Sequence, residues 1–285
     1  MEVTVRRGTP EDAGACGRIC YQAFATIAAA HGFPCDFPSV EVATGLTARL
    51  LASPGIYAVV ADAGGDVMGS NFLDERAEIS GVGPITVDPA VQDAAVGRRL
   101  MEAVMERAAE RGAAGVRLVQ AAYHTRSLAL YAKLGFQVRE PLACLQGPSL
   151  GIAVDGRAVR PATVADLEAC NRVCRAVHGH DRAGQVSDAL AGGTAVVVER
   201  DGRITGYSSG LSFFAHSVGE TLDDLKALIG AAAGFGGPGI LVPMRDGPLL
   251  GWCLDHGLRV VQVMTLMSTG FYHEPAGAYL PSIMY

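Results

Sequence analysis

Lysine is almost missing from this sequence: Lys133 and Lys226 are the only two, and the remaining basic residues are arginines. Positive charge as a whole is in deficit, 23 Lys and Arg against 29 Asp and Glu, for a net charge of −6. With a pI near 5.6, this balance argues against a bulk nucleic-acid binder and mildly favours cationic small partners. No apolar run approaches the roughly 18 residues of a membrane span, because Gly and Arg interrupt each hydrophobic stretch. The opening Met1-Glu2-Val3-Thr4-Val5-Arg6-Arg7 lacks the apolar stretch of a signal peptide. A cytoplasmic protein with no membrane and no nucleic-acid partner is therefore expected.

Disulfide frameworks are also absent from the pattern. Seven cysteines, an odd number spread over a long chain, read as reduced thiols. Cys16/Cys20 and Cys170/Cys174 share helix faces at i,i+4, but Cys-x3-Cys is not the tight spacing of a zinc knuckle. Free cysteine packs as a small hydrophobe, so no metal is expected. What the chain does have is core material: 49% hydrophobic residues, 18% charged, mean hydropathy +0.26. Its 285 residues fit two domains of roughly 140 each.

Those two domains repeat one another. Val5 to Cys20 aligns with Val159 to Cys174 at a constant offset of 154, with eight of sixteen positions identical. Each copy reads as a short strand, a Thr cap, an acidic first turn and a helix. Ala58-Val59-Val60 with Gly65 and Gly69 is mirrored by Ala195-Val196-Val197 with Gly202 and Gly206, a β-hairpin in both halves. Tyr131 to Phe136 stands beside Cys253 to Leu258. The order of the three matches is the same, and Gln146-Gly147-Pro148-Ser149 falls between the copies as a linker. The expected division is 1–146, a linker over 147–156, and 157–285. In the first copy the expected strands include Gly55 to Ala61, Asp66 to Leu73, Ile79 to Val87 and Val116 to Ala121. Residues 94–111 form a helix with an apolar stripe of Val96, Leu100, Val104 and Ala108, and Arg126 to Leu134 form another.

The most informative stretch runs from Gly83 to Leu100. A strand leads into a turn with small residues at Ala94, Ala95 and Gly97, then directly into a helix. Unpaired backbone N–H groups at such a helix start make an anion site, above all for a diphosphate, with Arg98 and Arg99 at hand. The pattern Gln92-x-x-Ala95-x-Gly97 resembles the Gln/Arg-x-x-Gly-x-Gly/Ala signature of the GNAT superfamily of N-acetyltransferases. Downstream, His124 to Phe136 resembles that family's Asn-x-x-Ala-x-x-x-Tyr-x-Lys-x-Gly-Phe motif, with His124 in place of the usual Asn. The resemblance covers the first half well and the second half in its layout.

The resemblance implies an α/β fold: two tandem GNAT-like domains, each a mixed, mostly antiparallel sheet flanked by helices. It implies acetyl-CoA as co-substrate, its diphosphate on the loop amides from Gln92 through Ala95, Val96 and Gly97. The strand end Ile85, Thr86 and Val87 would splay from its neighbour and pair with the pantetheine amides. His124, Ser127 and Tyr131 fall at i, i+3 and i+7 and share one helix face toward the thioester. Tyr131 is the candidate acid for the leaving thiolate; its bland alternative is a half-buried aromatic with a wet hydroxyl. Glu75 and Asp74 are the candidates for taking the proton of an acceptor amine, against the alternative of a solvated hairpin edge. Phe33, Asp36 and Phe37, in the stiff segment His31 to Ser39, are candidate acceptor contacts or else a satellite hydrophobic cluster.

The second copy lacks the glycine spacing, opens the matching helix with Glu220, Asp223 and Asp224, and has Cys253 where the first has Tyr131. Carboxylates there would repel a diphosphate, so this half is expected to be degenerate and non-catalytic. Its scattered histidines read as structural or surface residues. Its aromatic tail, Phe271 to Tyr285, is expected to dock, over the domain junction or at a homodimer surface. The functional expectation is an acetyl-CoA-dependent N-acetyltransferase acting by direct attack of a small primary amine on the thioester. An acyl-CoA-binding sensor without turnover is the alternative.

Overall fold

Thr9 and Thr163 start the two halves in the same way. In the computed structural model, which describes residues 3–91 and 95–284, each threonine caps a short 3-10 turn. Asp12 and Asp166 close the reciprocal capping boxes, and an arginine on the preceding strand clamps each carboxylate with two hydrogen bonds. Arg6 lies 2.8 Å from Asp12 and Arg160 lies 2.7 Å from Asp166. This is why the repeat keeps Arg, Thr and Asp. Gln92, Asp93 and Ala94 of the expected anion-binding turn lie outside the described residues.

The first half contains β1 (Thr4–Arg7), α1 (Ala13–His31), α2 (Val40–Ala52), β2 (Ile56–Ala63), β3 (Asp66–Asp74), β4 (Ile79–Val82) and β5 (Thr86–Val87). It continues with α3 (Val96–Glu110), β6 (Gly115–Ala121), α4 (Thr125–Lys133) and β7 (Gln137–Gln146). The second half contains β8 (Ala158–Pro161), α5 (Leu167–His178), α6 (Ala183–Ala191), β9 (Val196–Arg200), β10 (Arg203–Ser208) and β11 (Ser217–Gly219). It ends with α7 (Leu222–Ala231), β12 (Ile240–Pro243), α8 (Gly247–Asp255), β13 (Arg259–Gly270) and β14 (Ala278–Leu280). The repeat holds in register as well as in order: Arg6 pairs with Val60 and Arg160 with Val197.

One expected strand is shorter than the sequence pattern suggested. The stretch Ile79 to Val87 is broken after Val82, where Gly83 takes a φ of 139° and Pro84 has no N–H to donate. In the second half β10 ends at Ser208, and Gly210 turns the chain at a φ of 151°. The stripe expected on α3 is correct, with Val96, Leu100, Val104 and Ala108 all buried against the first core.

One sheet runs β1-β2-β3-β4-β6-β13-β7-β12, with β5 added to β3; the other runs β14-β11-β10-β9-β8. The larger sheet does not respect the midpoint of the chain. Strand β13, from the second half, lies antiparallel between β6 and β7, and β7 in turn lies between β13 and β12. Strand β13 of the second half therefore separates β6 from β7, and β7 of the first half separates β13 from β12. The cores follow suit: Met267 of β13 is buried in the first core, and Ala143 and Leu145 of β7 are buried in the second. The linker is held too, since the Ile152 N–H donates to the Gly230 carbonyl at 2.9 Å.

The cysteine pairs of α1 and α5 are wholly inside, and burial pushes the Cys16 thiol up to about 11. The aromatic tail docks on its own chain: β14 pairs with β11, and the Ile283 N–H donates to the Phe213 carbonyl at 2.8 Å.

Candidate active site

Gly69 decides where the sheet opens. A Cβ at this position would meet the Thr86 carbonyl oxygen at 2.5 Å, so only glycine lets β5 close onto β3. Meanwhile β4 runs parallel to β6 from Ile79 opposite Gly115 to Gly81 opposite Arg117, and pairing ends there. With β5 drawn to β3, the segment from Val82 to Thr86 parts from the end of β6. The gap opens into a cavity of about 120 Å³. Ile85 and Thr86 line it on one side and Leu118 to Ala121 on the other. Val87 does not reach it: its side chain turns toward the start of α3.

Helix α4 forms the next wall. His124 is its N-cap, its Nδ1 accepting a hydrogen bond from the Ser127 N–H at 3.0 Å. An imidazole thus caps the helix where the family motif has Asn, and Nδ1 in that role is unprotonated. Burial holds the imidazole below its usual range. Ser127 and Tyr131 line the same cavity. Tyr131 is 5% exposed; burial pushes its phenol up to about 12, while a hydrogen bond with Ser127 pulls the other way.

The segment between α1 and α2 brings the only carboxylate among the described lining residues. Asp36 is buried, and the Gln262 Nε2 donates to its Oδ1 at 3.0 Å. Burial raises its carboxyl to about 6 against that hydrogen bond. Phe37 lines the cavity, packed edge-on to Phe24 at 5.3 Å between ring centroids. Phe33 stands one layer back: it stacks on Tyr123 at 4.3 Å, and Tyr123 is the residue that faces the cavity. The second half closes the remaining side with Phe213, Phe214, Met264, Ile283 and Met284. Phe37, Leu46, Phe214 and Met284 also border a larger gap of about 720 Å³ between the halves.

Two expected proton acceptors are elsewhere. Glu75 is clamped by Arg107 at 2.9 Å and Arg111 at 3.3 Å and does not border the cavity. Asp74 is bound by Arg76 at 2.6 Å and by the Gln185 side chain at 3.1 Å, at the junction with α6. Burial would raise its carboxyl, but the Arg76 hydrogen bonds and charge outweigh it and hold it below the usual range. A carboxylate held by arginines is a poor base. Both residues tie elements together instead. Arg98 and Arg99 are likewise occupied: Arg98 pairs with Glu102 at 3.5 Å, and Arg99 donates to the Val3 carbonyl.

The start of α3 nevertheless fits an anion. Ala95 has a φ of 58°, the left-handed region that glycine occupies most easily, which is the physical reason for Gly at this point of the motif. Val96 turns its side chain wholly into the core, leaving its backbone for the turn. At Gly97 a Cβ would meet Leu130 and Val87 at 3.7 Å, ordinary contact, so the protein itself does not require glycine there. The helix opens without a carboxylate in its first turn. In α7 the corresponding end is filled from within. Asp224 is fully buried, accepts from the Thr221 N–H at 3.0 Å and pairs with Arg157 at 3.1 Å. Glu220 pairs with Arg200 and Arg203, and Asp223 with Lys226. The carboxylates expected to repel an anion are thus neutralised, and the helix end is closed by its own cap.

Gln120 and Gln262 were not singled out by the sequence. Gln120, on β6, is 6% exposed and lines the cavity, yet neither Nε2 nor Oε1 has a hydrogen bond among the described residues. Alternation on β6 could have placed Gln120, but the insertion of β13 that delivers Gln262 and Met264 has no local signal.

Residues 26–136 match the model of the Acetyltransferase (GNAT) family, and no curated protein matches the sequence. The fold is similar to that of a candidate acetyltransferase from Pyrococcus horikoshii, with TM-score 0.73 at 17% identity over 97% of this chain and 94% of that one. It is similar to a GCN5-related N-acetyltransferase from Sphaerobacter thermophilus, with TM-score 0.63 at 14% identity over 95% and 96% of the two chains. A tandem GNAT protein from the clavulanic acid biosynthesis pathway matches with TM-score 0.55 at 14% identity over 94% and 98%. Residues 26–136 are thus similar to the acetyltransferase (GNAT) family, and the chain as a whole shares the fold of these structures.

Proposed function

We propose that this chain is an acetyl-CoA-dependent N-acetyltransferase with one working site, in its first half, acting on a primary amine. The parting of β5 from β6 onto a cavity that contains Tyr131 carries this reading. Bound acetyl-CoA would supply the acyl group as a thioester. The backbone of Ile85 to Val87, on the parted edge, is available to the pantetheine amides, and the N-terminal amides of α3 are available to the diphosphate. Tyr131 would donate to the departing sulfur. A phenol near 12 is a weak acid beside a thiol near 8.5, but the same burial also raises a thiol enclosed with it. In the second half the filled helix end and the buried Cys253 support a non-catalytic role, with its wall residues closing the acceptor side.

The test is a calorimetric titration with acetyl-CoA followed by a free-thiol assay over a panel of amines. One site per chain and amine-dependent thiol release are expected. Two equivalent sites per chain would overturn the division between the halves, and binding without thiol release from any amine would leave a binding module instead.

A further inference from the structure

An ionised carboxylate inside an apolar cavity invites a cation. Asp36 shares the cavity with Phe24, Phe37, Phe213, Phe214, Met264 and Met284, its polar lining comes mainly from β6 and α4, and no Arg or Lys lines it among the described residues. No cation pairs with Asp36 among them, and its one hydrogen bond comes from Gln262. Such a group is costly to leave alone in low dielectric and gains most from a matching charge brought in by a ligand. Among the described residues, the titratable groups that feel its charge include the thiols of Cys20, Cys35 and Cys144 and the phenol of Tyr123, while His124 and Tyr131 line the same cavity. Burial raises the thiols and both phenols and lowers the His124 imidazole, so all of them stay neutral beside it. The unpartnered amide of Gln120 independently marks the cavity as a place for a polar ligand, since a buried carboxamide without hydrogen bonds is expensive.

We propose that the acceptor is a primary monoamine with an apolar body, its ammonium held on Asp36, which Gln262 of the second half keeps oriented. This inference rests on the N-acetyltransferase reading. A carboxylate on the acceptor, as in an amino acid, would find no Arg or Lys among the described lining residues, and the further charges of a polyamine would face aromatic rings. Asp36 then takes one proton from the ammonium. The freed nitrogen pair forms the C–N bond to the thioester carbonyl carbon, and the C–S bond breaks with its electron pair on sulfur. Tyr131 protonates the sulfur, the excess proton left on nitrogen restores the phenol, and Asp36 releases its proton to water. A carboxyl near 6 is largely ionised at neutral pH and close enough to it to accept and return a proton.

The experiment titrates the intact chain, saturated with CoA, with 2-phenylethylamine, L-phenylalanine and spermine in a calorimeter. 2-Phenylethylamine should bind at least tenfold more tightly than either of the others, and Asp36→Asn should lose at least tenfold of its affinity. Equal or tighter binding of phenylalanine or spermine, or unchanged affinity in a folded Asp36→Asn chain, would overturn the proposal. The ligand comparison is made on the unaltered chain and does not depend on the variant folding. A separate acetyl-CoA titration distinguishes the two failures. A chain that takes acetyl-CoA but not the monoamine loses only the acceptor class, whereas one that takes no acetyl-CoA loses the reading beneath it.

Discussion

Asp36 places the site in tension with the fold. Its carboxyl is raised from 3.8 to about 6, so the folded chain binds the proton more tightly than the unfolded one. The stability this represents is fully present below pH 3.8 and is lost as pH rises through about 6. The difference corresponds to roughly 3 kcal/mol. Asp36→Asn should therefore melt higher than wild type at pH 8 and together with it near pH 4, where thermal melts are compared. A constant offset at both pH values would mean that the charge is not the cause. Gln262 acts through Asp36 as a positioning residue. Removing its hydrogen bond in Gln262→Leu should move the acidic limb of the kcat/KM profile to higher pH, whereas a purely structural role would lower activity at every pH alike. Tyr131→Phe should lower turnover by roughly 10²-fold with acetyl-CoA affinity little changed, read by steady-state kinetics beside calorimetry. The sequence pointed to Asp36 through the stiffness of its segment but not to its protonic role. That depends on burial by Phe213, Phe214 and Met264, residues more than 170 positions away.

At the scale of elements, the periodic signals were reliable because they are local. The stripe of α3, the hairpin turns and the capping threonines each depend on neighbours within a few positions, and each is where the pattern put it. The break between β4 and β5 was not visible as a break, because Ile79 to Val87 has strand-like residues throughout and the decisive contact is across to Gly69. The ion pairs of Glu75 and Asp74 were not legible for a similar reason: their arginine partners come from α3 and from the turn after β3, and composition does not say which cation a carboxylate meets. Ala95 offers a direct test of an element boundary. It bears a Cβ at a φ of 58°, at a cost of about 1 kcal/mol. Ala95→Gly should raise the unfolding free energy by up to about 1 kcal/mol in a urea melt while keeping acetyl-CoA binding. A loss of stability would mean that the left-handed turn is not the relevant native conformation.

On the scale of the whole chain, the repeat suggests two domains joined at 147–156, but the strand order makes them interdependent. Severing the chain after Gln146 would strip β6 of β13 along all seven of its residues and leave β7 without either neighbour. The first core would lose Met267, and the second would lose Ala143 and Leu145. Each fully buried apolar side chain of the larger kind contributes about 1.5–3 kcal/mol, a large share of a typical domain's net stability. The new edges would also be long, apolar and unpaired, which favours association over monomeric folding. Scanning calorimetry of the intact chain should accordingly give one cooperative transition, not two, and residues 1–146 expressed alone should be aggregated or lack a melting transition. Both outcomes follow from one arrangement, the insertion of β13 between β6 and β7, which also brings Gln262 to Asp36. Two well-separated transitions, or a soluble and cooperatively melting 1–146 fragment, would show that the exchanged strands are not needed to hold either half together.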